Sequence, residues 1–570
     1  MAADPRPGPF AFSHTYAQLP AAFWRGVEPT PVKAPQLLAF NDALAAGLGL
    51  ARGADAAAVF GGNTLPPGAQ PLAMAYAGHQ FGHFVPQLGD GRAILLGEVV
   101  DPQGQRFDVQ LKGAGPTPFS RNGDGRAAIG PVLREFLVSE AMHALGVPTT
   151  RALAVVATGE SVFRGGALPG AVLTRVAASH VRVGTFQYFA AREDHAAVRQ
   201  LVDFVIARHY PELAGHTNPP LALLQAVAEA QARLVSAWLQ VGFVHGVMNT
   251  DNMTISGETI DYGPCAFIDA YDPGAVFSSI DREGRYAFAN QREVAKWNLA
   301  RFAESLLPVL IDECGSGAAA GDSAPDAASA AETAAVEAAV VAATEALAEF
   351  DGHFETVWVA GMRAKLGLGD AHESLDAPGA PGAGGATDEV VAELARDLLQ
   401  HLRETQADYT NSFRELARIA NGVRAEVEAV GAKTVAEAEA DVEVGISQAA
   451  EADRGGAPGV PPEAGAVFVG REFGEALAGA EPAAQFPAEW IARWLALGPD
   501  PGAMNRVNPI YIPRNHVLDA ALEAATDGDL APFTALLARV THPYEEQPGG
   551  AEFANPAPPG SGRFVTYCGT

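Results

Sequence analysis

The stretch that decides the fold of this 570-residue chain reads His245-Gly246-Val247-Met248-Asn249-Thr250-Asp251-Asn252-Met253, and Asp261-Tyr262-Gly263 follows it. Asn252 and Asp261 carry side-chain oxygens of the kind that bind Mg²⁺. Asp251 adds a second carboxylate immediately before the asparagine. The dipeptide Asp251-Asn252 by itself is also typical of an ordinary Asx turn, so residues elsewhere in the chain must decide between the two interpretations.

Kinases use a related loop, His-x-Asp-x-x-x-x-Asn, followed by Asp-Phe-Gly. In that loop the first Asp orients or deprotonates the acceptor hydroxyl, while the Asn and the second Asp hold magnesium on the nucleotide phosphates. Val247 stands at the position of the first Asp, so the usual base is absent. Because Asp251 supplies a carboxylate four residues later, we interpret the stretch as a changed active site rather than an inactive one.

The upstream sequence predicts a strand hairpin followed by a helix. Residues 106–112 alternate between apolar and polar side chains, as a half-buried strand requires, and a turn joins them to the run 93–100. Lys112 therefore leaves its strand on the polar face. A helical pattern then runs from residue 130 to residue 145, with Glu135 beside its apolar side. We predict an ion pair between Lys112 and Glu135 that fixes the lysine head group for phosphate binding.

Two Gly-Asp-Gly-Arg segments, 89–92 and 123–126, are expected to approach phosphate groups. Glycines leave backbone amides free, and the neighbouring guanidinium adds a bidentate clamp for an anion. A loop of the Gly-x-Gly-x-x-Gly type would need a third glycine where this chain has Ile94. Two separate tight turns are the alternative interpretation. Arg175 and Arg182 supply further cations in a chain that is otherwise acidic.

Taken together, these residues resemble the selenoprotein O (SelO) family of protein adenylyltransferases. The resemblance is dense over the first half of the chain and thinner over residues 508–515 and the residues near 570. An ordered series of motifs of this kind is highly specific for one family. The motifs that carry it are Tyr76-Ala77-Gly78-His79-Gln80-Phe81-Gly82, Gln87-Leu88-Gly89-Asp90-Gly91-Arg92-Ala93, Gln110-Leu111-Lys112-Gly113-Ala114-Gly115, Ser120-Arg121-Asn122-Gly123-Asp124-Gly125-Arg126 and Asn249-Thr250-Asp251-Asn252-Met253.

The resemblance implies a kinase-like cleft that binds ATP in a reversed orientation and transfers AMP to Ser, Thr or Tyr hydroxyls of proteins. Asp251 would be the general base, and Lys112 would pair with Glu135. Asn252 and Asp261 would hold Mg²⁺, with Mn²⁺ as the alternative metal. The residues that would contact ATP are Gly89, Gly91, Arg92, Lys112, Asp124, Gly125, Arg175, Arg182 and Asp261. A kinase-type phosphotransferase and a non-catalytic, nucleotide-binding pseudokinase scaffold are the alternatives.

Composition and charge limit the classes of partner. A hydrophobic content of 48% argues for a folded protein. A formal net charge of -29 disfavours binding to nucleic acid or to an anionic membrane surface. We therefore expect ATP and acceptor proteins as partners, with no nucleic acid and no membrane. The sequence shows no targeting segment and no uninterrupted apolar span, which predicts a cytoplasmic protein.

The three cysteines, Cys265, Cys314 and Cys568, are too few for a disulfide framework. Cys568 stands where selenium-containing members of the resembled family carry selenocysteine, and Cys265 closely follows Asp261. A redox-controlled link between the tail and the active site is a hypothesis on these grounds. An inert thiol at Cys568 is the alternative.

We predict an α+β chain with a protein-kinase-like two-lobed fold, an N-terminal extension and additional C-terminal helices. Within the last predicted segment, residues 394–423 are predicted to be helical. The predicted segments are an N-terminal extension (1–85), a strand-rich nucleotide-binding lobe (86–185), a helical catalytic lobe (186–312), a low-complexity insertion with a helical stretch (313–390), and a C-terminal helical region with a redox tail (391–570).

Overall fold

The computed structural model describes residues 10–315, 325–369, 386–425, 485–558, 560–562 and 564–567. These residues form a mixed α/β protein built around an antiparallel sheet. The chain divides into two compact units, one comprising Met1–Trp358 with Tyr511–Thr570 and the other Val359–Ile510. The finer division into five segments stays a prediction.

The main sheet has eight strands in the order β1-β3-β6-β7-β10-β9-β2, with β8 paired to β10. Two ribbons of two strands each, β4 with β5 and β11 with β12, lie outside it. All of these pairings are antiparallel. The strands are β1 (Trp24–Gly26), β2 (Gln36–Phe40), β3 (Leu72–Met74), β4 (Gly78–Gln80), β5 (His83–Val85), β6 (Ala93–Val100), β7 (Arg106–Lys112), β8 (Ala127–Ala128), β9 (Arg151–Phe163), β10 (Ala167–Ala177), β11 (Phe243–Val244) and β12 (Ala266–Phe267).

Some helices lie between strands of the main sheet in chain order, and the others come after its last strand. Short 3₁₀ turns cover Tyr16–Gln18, Pro211–Leu213, Thr250–Asn252 and Phe288–Asn290. The α-helices are α1 (Asp42–Gly47), α2 (Ala56–Phe60), α3 (Ile129–Ala144), α4 (Val183–Ala190), α5 (His195–His209), α6 (Pro219–Gln240), α7 (Gln291–Gly315), α8 (Pro325–Lys365), α9 (Asp388–Thr405), α10 (409–425), α11 (Ala488–Leu495), α12 (Pro501–Val507), α13 (Asn515–Thr526), α14 (Ala531–Val540) and α15 (Ala551–Ala554).

Residues 394–423 are helical as predicted, and they divide into two helices, α9 and α10. Gln406 follows α9 in a left-handed conformation with φ of 53°. A left-handed residue ends the helical hydrogen-bond pattern, and residues of this kind are common helix terminators.

Strand β7 has the predicted alternation, but both of its faces are buried. Val109 and Leu111 pack into a core shared with α1 and α2. On the opposite face Asp108, Gln110 and Lys112 are also almost fully buried. The alternation predicted a half-buried strand, but charged and polar side chains from other elements cover the polar face and satisfy its hydrogen bonds.

Helix α3 carries Glu135 onto this polar face. The helix spans Ile129–Ala144 and is followed by Gly146, whose φ of 77° permits the turn that ends it. Its apolar residues Leu133, Phe136 and Leu137 are buried, and the helix contacts β9 and β10. Because α3 crosses the sheet beside β10, Glu135 faces the end of β7.

The loop that contains Asp251, Asn252 and Asp261 connects the strands of the β11–β12 ribbon. Helix α6 ends at Gln240, and Gly242 turns the chain into β11 with φ of 74°. Phe243 pairs with Phe267 across the ribbon. Residues 245–265 therefore leave the ribbon and return to it at the same end. Within the loop, His245 Nε2 lies 2.9 Å from the Ile260 carbonyl oxygen and links the two parts of the chain.

Candidate active site

Lys112 lies at the centre of a buried group of opposite charges. Its Nζ donates to Glu135 Oε2 at 2.6 Å and also to Asp261 Oδ1. Arg175 Nη1 donates to Asp261 Oδ1 at 2.9 Å and to Glu135 Oε1 at 3.2 Å. In the β7–β10 register Lys112 pairs with Leu173 and Gln110 pairs with Arg175, so both cations leave the same face of the sheet.

Asp261 reaches this group from a strained turn. Its backbone has φ of 64°, a conformation that costs free energy in a residue other than glycine and is typical of functional sites. Burial alone would raise the pKa of its carboxyl. Lys112, Arg175 and Arg182 outweigh that effect and hold the pKa well below its usual range. Asp261 is therefore a carboxylate at every physiological pH.

Arg182 links this cluster to the loop that contains Asp251. Its Nη1 donates to the Asp251 carbonyl at 2.8 Å, and its guanidinium lies 4.4 Å from the centre of the Tyr76 ring. The Asp261 carboxylate lies 3.6 Å from the same guanidinium, and Asp90 lies 3.9 Å from it. The side chain is fully buried, so these contacts fix its position.

The Asp251 carboxylate is enclosed by the ribbon β4–β5. Gln80 Nε2 donates to its Oδ2 at 3.3 Å, and Oδ1 is a buried oxygen that has no hydrogen-bond partner among the described residues. Burial raises the pKa of this carboxyl to about 6, against the opposing effects of Arg182 and the Gln80 hydrogen bond. A buried carboxylate with a free acceptor oxygen and a raised pKa can accept a proton from a hydroxyl.

Asn252, the next residue, is half-buried. Its Nδ2 donates to the Val247 carbonyl at 3.0 Å, which leaves the amide oxygen as an acceptor. Val247 itself is buried and aliphatic, so the position of the usual kinase base carries no proton acceptor in its side chain.

The two Gly-Asp-Gly-Arg loops lie against each other through the segment between them. Gly89 has φ of 72°, and a Cβ there would lie 2.3 Å from the Phe119 ring. Gly125 has φ of 65°, and a Cβ there would lie 2.1 Å from the Gly115 carbonyl carbon. Both positions therefore exclude a side chain, and the glycines allow the loops to pack closely as well as to expose their backbone.

Asp124 and Arg92 differ in their surroundings. Arg164 forms a bidentate pair with Asp124 at 2.8 and 2.9 Å, and this hydrogen bonding lowers the pKa of Asp124 to about 2. Arg92 is half-buried, and no ion pair or side-chain hydrogen bond of Arg92 is found within the described parts of the chain. Its guanidinium is therefore available to an incoming anion.

These residues line a cavity of about 640 Å³, which is of the size that small-molecule sites usually have. Of the predicted site residues only Glu135 is not at its wall; Glu135 lies behind Lys112. Basic side chains outnumber carboxylates at the wall, which suits a polyanionic ligand. The predicted residues at the wall are Gly89, Gly91, Arg92, Lys112, Asp124, Gly125, Arg175, Arg182, Asp251, Asn252 and Asp261.

Sequence reasoning did not identify several residues of the wall. Arg164 comes from the β9–β10 turn, and no motif marked it. Tyr76, Gln80 and Arg121 stood inside quoted motifs without an assigned role. Tyr567 reaches the cavity from a part of the chain almost 290 residues beyond Ile280, its closest neighbour in sequence at the wall, and no local pattern could have shown this.

Comparison with known proteins gives the family. The family model described as protein adenylyltransferase SelO matches residues 9–541. The chain belongs to the SelO family. Its relatives include the protein nucleotidyltransferase YdiU of Rhizobium rhizogenes, which is 48% identical over 99% of this chain and 97% of its own length. The YdiU protein of Rhizobium meliloti is 49% identical over 98% of this chain and 99% of its own length. That of Mycolicibacterium paratuberculosis is 49% identical over 94% of this chain and 93% of its own length. This SelO family member is therefore an enzyme, a nucleotidyltransferase.

A divalent metal is compatible with the residues of this SelO cavity. Asn252 and Asp261 offer one amide oxygen and one carboxylate at the wall. Within the described ranges no group of three or more His, Cys, Asp and Glu side chains could hold an ion by itself. Mg²⁺ needs no such group, because it is commonly held by one or two protein oxygens together with substrate phosphates and water.

Two remaining sequence expectations concern the membrane and the cysteines. None of the described helices has the length and apolar character needed to cross a bilayer. Cys568 lies outside the described residues. Cys265 is buried, and burial raises the pKa of its thiol. The redox link stays a prediction.

Proposed function

We propose that this chain transfers AMP from ATP to Ser, Thr or Tyr hydroxyls of acceptor proteins, using Mg²⁺ held by Asn252 and Asp261. The observation that carries the proposal is the convergence of Lys112, Asp261 and Asp251 on one basic cavity. Family membership supports the nucleotidyl transfer, and the geometry supports the assignment of individual roles.

The arrangement also supports a kinase-like, two-lobed organisation around the cavity. A lysine at the end of a sheet strand pairs with a glutamate of the adjacent helix, as in kinases. The loop with Asp251 and Asn252 and the turn at Asp261 come from the helical side of the cavity. Arg92 occupies the loop that in kinases covers phosphates with backbone amides, and its charged side chain is compatible with a different nucleotide pose. The reversed orientation itself is implied by the family resemblance.

In the proposed reaction Asp251 accepts the proton of the acceptor hydroxyl as its oxygen attacks the α-phosphorus. A new P–O bond forms to the acceptor, and the bond between the α-phosphorus and the bridging oxygen breaks, so pyrophosphate leaves with that electron pair. Lys112, Arg175 and Arg182, which are buried at the cavity wall, neutralise charge on the phosphate oxygens. The bound metal supplies additional charge neutralisation there.

Two alternatives make different predictions about the label that reaches protein. Transfer from ATP labelled at the α-phosphorus supports adenylylation, whereas transfer from γ-labelled ATP indicates a phosphotransferase. A scaffold would transfer neither label. Val247 disfavours the phosphotransferase, because its position lacks the usual base. The carboxylates of Asp251 and Asp261 at one cavity disfavour the scaffold.

The base assignment is tested with Asp251→Ala. Removing a general base costs on the order of 10²- to 10⁴-fold in rate. We expect loss of α-label transfer with retained ATP binding, measured by filter assay and calorimetry. Full transfer of the α label by the variant would contradict the assignment of Asp251 as the general base.

A further inference from the structure

A short extended segment, residues 564–567, lies along residues 277–279 next to the cavity. Thr566 N donates to the Phe277 carbonyl at 2.8 Å, and Ser279 N donates to the Thr566 carbonyl at 2.9 Å. The two stretches thus form a parallel β-bridge at Ser278 and Thr566. The Thr566 hydroxyl also donates to the Pro264 carbonyl at 2.8 Å. Thr566 therefore holds the segment in place through two backbone hydrogen bonds and one from its side chain.

The bridge places the Tyr567 side chain, which carries a hydroxyl, at the mouth of the cavity. Tyr567 and Ile280 both line it, and they are 76% and 49% exposed. Val565, on the same segment as Tyr567, is also exposed. Clustered exposed apolar groups of this kind are typical of surfaces that bind other proteins. Beneath them the Ser278 hydroxyl is buried and has no partner within the described residues.

We propose that residues 277–279 are the docking edge for the acceptor protein, which binds there as an extended segment carrying its hydroxyl toward Asp251. The 564–567 segment occupies the same edge and is an internal competitor. This inference rests on the proposed function and adds to it the form in which the acceptor is recognised.

The chemistry of the edge would let one site accept proteins of different sequence. The Phe277 carbonyl and the Ser279 amide recognise any backbone, so strand addition gives affinity with little dependence on sequence. When the 564–567 segment holds these groups, the acceptor must displace it. The apparent acceptor affinity then falls in proportion to the fraction of molecules whose edge is free.

A peptide added to the full-length protein tests competition at the edge. The peptide has the sequence of residues 563–570 with Cys568→Ser, which excludes disulfide chemistry, and casein and α-labelled ATP serve as substrates. We expect inhibition that is competitive with casein and not with ATP. A matched peptide with Thr566→Pro lacks the amide that bonds to Phe277 and should inhibit at least about tenfold more weakly.

Inhibition competitive with ATP, or equal inhibition by the two peptides, would overturn the docking edge. Label appearing on the peptide would support it, because the peptide would then lie in the acceptor path. Absence of α-label on every protein and peptide would instead contradict the proposed function itself.

The same substitution in the full-length chain is a second, independent measurement. Thr566→Pro should free the edge and lower the KM for casein several-fold while leaving the KM for ATP unchanged. Ser561→Ala is the matched control, because the Ser561 hydroxyl bonds only locally, to the Pro558 carbonyl. An unchanged casein KM in Thr566→Pro would contradict the competitor role.

Discussion

At the scale of single residues, the buried position of Asp251 suits its proposed role as a base but is unfavourable for the stability of the folded protein. Its Oδ1 is buried without a partner among the described residues, and burial raises its carboxyl pKa to about 6. The folded protein therefore binds a proton at Asp251 more tightly than the unfolded chain does. The stability that this group contributes is present below pH of about 4 and is lost as pH rises through about 6.

Asp251→Asn should consequently remove activity and increase stability at alkaline pH. We expect the free energy of unfolding to rise by about 1–3 kcal/mol at pH 8, because a pKa unit corresponds to about 1.4 kcal/mol. The gain should shrink near pH 5. Denaturant unfolding at the two pH values measures this, and an equal loss of stability at both would contradict the burial argument.

The same pKa predicts the acid limb of the reaction. The carboxylate form is needed as base, so kcat/KM of the wild-type protein should fall about tenfold per pH unit below about 6 and level off above about 7. Initial rates of α-label transfer between pH 5 and 8 provide the measurement. A rate independent of pH over this range would argue against Asp251 as the base.

Lys112 and Asp261 are the residues on which nucleotide affinity should depend most. Hydrogen bonds to charged groups contribute roughly 1.5–3 kcal/mol, so Lys112→Ala or Asp261→Ala should weaken ATP binding by about tenfold or more. Calorimetry with ATP and Mg²⁺ measures the Kd, and circular dichroism checks folding. Lys296→Ala is the control, since Lys296 pairs with Asp351 away from the cavity. Unchanged affinity in both variants would contradict a shared site.

At the scale of elements, the β4–β5 ribbon holds the Asp251 loop in place. His79 N donates to Thr250 Oγ1 at 2.7 Å, and Phe81 N donates to Asn249 Oδ1 at 3.1 Å. Gly78 lies so close that a Cβ there would be 2.6 Å from Asp251 Oδ1 and 3.0 Å from Asp251 Cβ. The ribbon therefore fits only around a glycine at this position.

Gly78→Ala should push the Asp251 side chain from its position. Because small displacements of a catalytic group can cost up to about 100-fold, we expect kcat to fall about 10- to 100-fold with little change in ATP affinity. Gly26→Ala is the matched control, since a Cβ at that strand position has no neighbour within 4 Å. Equal kcat in both variants would show that the loop adapts without cost.

At the scale of the compact unit that holds the cavity, Arg208 of α5 joins the helices to the sheet. Its guanidinium donates to Glu98 Oε2 at 3.0 Å and to Asp108 Oδ1 at 2.9 Å, and both carboxylates are buried. It also donates to the Ala178 carbonyl, just beyond β10. The segment that leads from the sheet to Arg182 is thus anchored from the helical side.

Arg208→Ala would leave two carboxylates buried without this partner. Breaking a buried pair in this way costs about 3–5 kcal/mol, so the variant should show a large fall in Tm. Arg233→Ala, which removes an exposed pair with Glu229, should cost less than about 1 kcal/mol. Similar Tm values for the two variants would contradict the anchoring role.

The sequence could predict features that local patterns encode. The alternation of β7 predicted the face on which Lys112 leaves the sheet, and the helical period predicted α3 with Glu135 on it. It could not predict that the polar face of β7 is buried, because its cover includes Arg208, 100 residues beyond Asp108. The division of the helical stretch 394–423 at Gln406 was not predicted either, because it depends on the left-handed backbone of one residue.

By itself the sequence determined which residue types could do the chemistry and in what order they occur, because strands, helices and turns impose short periods on the chain. Only the tertiary structure decided that Asp251 Oδ1 is buried without a partner among the described residues, that Gly78 must be small, and that Tyr567 lies at the cavity. These properties depend on contacts between residues far apart in the chain. Burial and electrostatic fields are sums over such contacts, and they have no local sequence signature.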